Sequence, residues 1–110
     1  MNIEYPQKLN ESELQAQLWA KLKSRKIDAR LQVKAIRSRI DIVIFKKGQA
    51  TGIIECKCWS KSYLKKQRYR YYKKSKQYQK YTQLFGLPIF VCGCSASIEP
   101  AIHFAGECCK

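Results

Sequence analysis

Hydrophobic periodicity divides the chain. Between Asn10 and about Lys26, Leu14, Leu18 and Leu22 recur at helical spacing with Trp19 beside them, while Glu13, Gln17, Lys21 and Arg25 occupy the other side. This pattern predicts an amphipathic helix. Asn10 carries an oxygen that can cap free backbone N–H groups, and Glu13 follows three residues on, the spacing of a capping box. From Arg30 the period drops to two. Leu31, Val33 and Ala35 alternate with polar residues, Arg39 to Phe45 is rich in β-branched side chains, Lys46-Lys47-Gly48-Gln49 reads as a turn, and Ala50 to Trp59 is extended again. The three segments predict a β-meander.

Tyr63 to Phe85 contains neither Gly nor Pro, and Leu64, Arg68, Tyr71, Ser75, Tyr78, Thr82 and Phe85 keep a spacing of three or four, so a long helix is expected there. Gly86 and Pro88 end it, and Ile89 to Cys92 has the continuous apolar character of a buried strand. The tail from Ser95 to Lys110 carries Pro100 and a weak period, which places it as an edge element or loop. The predicted order is α-β-β-β-α-β.

At 110 residues the chain is one domain, and its 45% apolar and 12% aromatic content is that of a sequence that folds. No apolar run approaches the ~20 residues of a membrane span, and the N-terminus lacks the apolar stretch of a secretory signal, so a cytoplasmic, non-secreted protein is expected. Six cysteines then read as reduced thiols. The net charge of +14 changes the picture most, because it points to a polyanionic partner.

The acidic residues are distributed unevenly. From Ala29 to Ile98 only Asp41 and Glu55 are acidic, against 16 Lys and Arg, and both lie inside apolar strands. Desolvating a carboxylate there costs several kcal/mol unless it is paired or bound to a cation. Antiparallel pairing across the Lys46–Gln49 turn can bring Asp41 and Glu55 together, and Lys57, two residues beyond Glu55, shares its face. Two carboxylates, an ammonium and the carbonyl of Cys56 form a set of hard donors suited to Mg²⁺ or Mn²⁺. In the competing reading Lys57 neutralises Glu55, and Asp41 pairs with Arg37 or Arg39 in a structural ion network.

Arg39-Ile40-Asp41, followed after thirteen residues by Glu55-Cys56-Lys57, resembles the core motif of the PD-(D/E)XK nuclease superfamily. The order of elements over about residues 11–94 is similar too, with particular likeness to small Holliday-junction resolvases and to compact VRR-type and homing-type nucleases. The residue before Asp41 is Ile where the motif has Pro. The resemblance implies a restriction endonuclease-like α/β core with a central mixed sheet flanked by helices. It also implies a metal-dependent endodeoxyribonuclease, either structure-specific or of homing or repair type. Asp41 and Glu55 would then hold Mg²⁺ or Mn²⁺ together with the Cys56 carbonyl, and Lys57 would position or deprotonate the attacking water. Glu11 matches an extra acidic ligand on the first helix, with Glu13 competing for that role, and Gln77 and Tyr81 are similar to the Gln-x-x-x-Tyr of exonuclease branches.

The predicted long helix carries a basic series. Lys61, Lys65, Lys66, Arg68, Arg70, Lys73 and Lys74, interleaved with tyrosines, join Arg37 and Arg39 as candidates for DNA phosphate contacts. Tyr71, Tyr78 and Phe85 read better as core packing. Cys56 points away from Glu55 and Lys57, a zinc site from Cys58, Cys92, Cys94 and Cys108-Cys109 is the minor reading of the remaining thiols, and His103 reads as a surface or edge residue. The main alternative is a non-catalytic nucleic-acid-binding module built on the basic helix at 61–85, with an RNA-packaging accessory behind it. Cutting both strands needs two sites, so a nuclease of this size is expected to be a homodimer or a higher symmetric assembly.

Overall fold

The computed structural model describes residues 10–35, 38–57, 85–93 and 95–110. Helix α1 spans Glu11–Ser24 and opens as the capping pattern predicts, with the side chain of Asn10 accepting from the Glu13 N–H at 2.8 Å. Its apolar stripe, Leu14, Leu18 and Leu22, is fully buried. The helix stops at a residue other than glycine. Lys26 adopts a left-handed φ of 61°, its N–H donates to Lys23 O at 2.9 Å, and Ile27 N–H donates back to Leu22 O at 3.1 Å. These two bonds satisfy carbonyls that the end of the helix would otherwise leave bare.

Four strands follow: β1 (Asp28–Ala35), β2 (Ser38–Lys46), β3 (Gln49–Cys56) and β4 (Ile89–Cys92), forming one sheet in the order β1-β2-β3-β4. The first three are antiparallel neighbours, and β4 runs parallel to β3, so the sheet is mixed. Lys47 and Gly48, with φ of 52° and 79°, form the two-residue turn between β2 and β3, the left-handed pair that the twist of a tight hairpin favours. A bulge between Ile44 and Phe45 admits one extra residue on β3.

The tail departs from expectation. Instead of a loop or edge element, residues 95–97 form a 3-10 turn and Ile98–Cys108 forms a second described helix, α2. Ile98, Ala101, Ile102 and Ala105 are buried on it. Pro100 sits in its first turn, where backbone N–H groups have no partner within the helix and a missing N–H costs nothing. The predicted helix over 63–85 falls outside the described residues except at Phe85, which is helical, and Gly86 after it has the left-handed φ of 60° expected at such an end.

Helices α1 and α2 pack on one face of the sheet. Leu14, Leu18 and Leu22 meet Ala29, Ile42, Ile44, Ile54, Cys56 and Cys92, together with the buried residues of α2. Trp19 ties α1 to β1 by donating its indole N–H to Ala29 O at 2.7 Å. Gly52 lets α2 approach β3, since a Cβ there would lie 2.5 Å from Cys108 Sγ and 3.3 Å from the Phe104 ring. A second cluster of Ile40, Val43 and Ile53, with Val33, Phe45, Leu87 and Ile89 against it, forms apart from the helices.

Candidate functional site

The site is built where β2 loses its regularity. Ala29 and Ile42 belong to the cluster beneath the helices, but Val33 and Ile40, further along the same pair of strands, belong to the other cluster. The apolar alternation therefore changes face between them. Gln32 lies at the change with a left-handed φ of 52°. Opposite it stands Asp41, which alone among the nine residues of β2 has a ladder partner on neither β1 nor β3.

The backbone and carboxylate of Asp41 are taken up by other groups. Its side-chain Oδ2 accepts from the Cys56 N–H at 2.9 Å, replacing a carbonyl acceptor at the point where the β2–β3 pairing stops at Ile42↔Ile54. Its carbonyl oxygen accepts from the side-chain amide of Gln15, on α1, at 3.1 Å. Its backbone also hydrogen-bonds toward the Glu55 carboxylate. Three elements, α1, β2 and β3, thus converge on one residue.

Glu55 is the buried charge-bearing group of this assembly. It is 1% exposed, the one buried polar or charged side chain among the described residues, and its Oε1 has no hydrogen-bond partner there. Burial above all, with the adjacent Asp41 carboxylate and a hydrogen bond to it, pushes its pKa up to about 8, against the smaller opposing pull of Lys57 and of the Asp41 backbone. Alternation along β3 sends Ile54 and Cys56 into the helix-side core, and Ile53 and Glu55 the other way. Lys57 follows the strand with its N–H bonded to Cys92 O at 2.9 Å, so β4 fixes the backbone beneath it.

Asp41, Glu55 and Lys57 are therefore brought together as the strand pattern predicts, with the Cys56 backbone between them. Cys56 turns inward to the core as expected, where a hydrogen bond from its S–H to its register partner Cys92, together with burial, holds its thiol protonated. Glu11 is exposed at the start of α1, and among the described residues no group of three or more acidic, histidine or cysteine side chains is poised around a metal position. Glu13 is exposed, and its backbone N–H donates to the Asn10 side chain. Arg39 lies exposed on β2 opposite Lys34, and exposed His103 faces Glu107 one turn away on α2. Arg37, Lys61, Lys65, Lys66, Arg68, Arg70, Lys73, Lys74, Gln77, Tyr81, Cys58 and Cys94 lie outside the described residues.

The sequence pattern did not single out Gln15. It sits next to the buried stripe residue Leu14 and one helical turn after Glu11, so a half-buried polar residue bordering an apolar stripe was the available signal.

The chain matches no protein-family model, no curated protein and no solved structure. Its functional reading rests on its own residues. No helix among the described residues is long and apolar enough to cross a membrane.

Proposed function

We propose that this chain is a metal-dependent endodeoxyribonuclease with a restriction endonuclease-like core. One observation carries the reading: a fully buried glutamate with an unpartnered oxygen stands beside a second carboxylate at the place where two core strands part. A structural ion network would supply Oε1 with a donor, since an orphaned buried carboxylate oxygen is costly. A divalent cation fits the pair, because hard oxygen donors and a carboxylate needing a positive partner are what Mg²⁺ and Mn²⁺ take.

Asp41 and Glu55 would hold that cation, with the Cys56 carbonyl as the adjacent backbone donor. When bound, it supplies a water of lowered pKa and positive charge against a phosphate oxygen. The protein's own groups supply the rest. The Cys56 N–H and the Gln15 amide fix Asp41. Lys57, on the Glu55 side, offers an ammonium to the charge that develops on the phosphate. The net charge of +14 brings a DNA backbone to the surface, and two copies about a twofold axis would set one site against each strand.

The test uses supercoiled plasmid and a synthetic four-way junction. In Mg²⁺ the wild-type protein is expected to cut at least one of them, and EDTA, Glu55→Ala or Lys57→Ala is expected to stop cutting. Intact DNA in Mg²⁺, under salt conditions where the protein demonstrably binds it, would instead leave a binding module with structural carboxylates.

A further inference from the structure

We infer that Gln15 is a positioning residue for this site, resting on the proposed nuclease reading and acting through the backbone of Asp41. Among the residues of β2, Asp41 is the one whose place in the sheet is not set by ladder pairing on either side. A residue cut out of its ladder gains freedom to rotate about φ and ψ, and its carboxylate would swing with it. Besides the hydrogen bonds it shares with Glu55, two bonds from neighbouring elements restrict that motion. The Cys56 N–H holds the carboxylate at 2.9 Å, and the Gln15 amide holds the carbonyl at 3.1 Å.

The two bonds are not equivalent. The Cys56 bond uses Oδ2, an oxygen that a cation would also draw on, so it competes with ligation. The Gln15 bond uses the main-chain carbonyl and leaves both carboxylate oxygens available. Gln15 is also anchored well: its neighbour Leu14 and the next turn's Leu18 are fully buried, so the amide projects from a fixed helix rather than a loop. A glutamate at this position would present no donor near neutral pH and would set its oxygen against the carbonyl. The neutral amide, with a donor at the reach of the backbone, is the chemistry this place requires.

The test uses the full chain with Gln15→Met, which keeps length and helix preference but has no N–H donor, and Gln15→Glu, with Gln17→Met on the exposed side of α1 as the control. Circular dichroism first establishes that each is folded at the working temperature. Two measurements then follow. Amide hydrogen exchange at Cys56, read without metal or DNA, is expected to accelerate in both Gln15 variants and not in Gln17→Met. Calorimetric Mn²⁺ affinity is expected to fall about tenfold in the Gln15 variants, the scale seen when groups that orient metal ligands are removed. Unchanged Cys56 exchange and unchanged Mn²⁺ affinity in folded Gln15→Met and Gln15→Glu would overturn the assignment. The nuclease reading fails differently: a wild type that neither binds Mn²⁺ nor cuts DNA removes any site for Gln15 to serve, even where Cys56 exchange responds. If Gln15→Met alone fails to fold, Gln15→Glu decides, and if both unfold while Gln17→Met does not, Gln15 is a stability residue and the assignment is withdrawn.

Discussion

Glu55 concentrates the electrostatic cost of this fold in one side chain. Its carboxyl is held near a pKa of about 8 by burial, with Asp41 adding to the effect. In the unfolded chain the same group titrates near 4.5. Between these values the unfolded chain gives up the proton while the folded chain keeps it, so stability falls as pH rises through that window and levels off above it. The expected loss is on the order of a few kcal/mol. Glu55→Gln keeps the shape and removes the titration. In buffer free of divalent cations its melting temperature should therefore match the wild type near pH 5 and exceed it by roughly 4 °C or more at pH 8. Melting curves for both proteins across this range check it, and parallel pH profiles would contradict the burial of an ionisable Glu55. The residue is legible in the sequence because a carboxylate directly after Ile53-Ile54 in an apolar strand has few explanations. Gln15 is not, because its partner is a main-chain carbonyl, and such an acceptor is the same at every position of the sequence.

At the scale of elements, the close seating of α2 on β3 depends on the missing side chain at Gly52. Gly52→Ala places a methyl group 2.5 Å from Cys108 Sγ and 3.3 Å from Phe104, whose ring also stacks at 5.4 Å from Phe90. The helix must shift or the side chains must leave their rotamers, so a destabilisation of about 1–3 kcal/mol is expected. Cys108→Ala in the same chain removes the nearest atom and should recover much of that loss. Denaturant unfolding of the two single variants and the double variant checks it as a cycle, and strictly additive effects would contradict this packing. The meander and α1 can be read from period alone. Helix α2 cannot, because Pro100 reads as a break although the first turn of a helix tolerates it. The spacing of Ile98, Ala101, Ile102 and Ala105 was nevertheless that of a buried helical stripe. The interruption of β2 was also hidden: it depends on the left-handed backbone of Gln32, a residue with no strong preference for that conformation.

For the molecule as a whole, the decisive quantity is charge. On the proposed reading, a body of 110 residues carrying +14 would bind a polyanion largely by releasing counterions, whatever the sequence of bases. If six or more phosphates are contacted, affinity for duplex DNA should fall by roughly a thousandfold or more between about 50 and 200 mM salt. Fluorescence anisotropy across that range checks it, and salt-insensitive binding would point to a different partner. In the proposed nuclease, charge would account for encounter and the Asp41, Glu55 and Lys57 set for chemistry. Glu55→Gln separates the two, since it preserves the basic surface and is expected to raise stability at pH 8. The measurement that bears most directly on the account is single-turnover cleavage of plasmid DNA in Mg²⁺ at pH 8, wild type against Glu55→Gln, with both proteins saturating the DNA. The account predicts cutting by the wild type and none by the folded, DNA-bound variant. Equal cutting by the two proteins, or none by either, would contradict it.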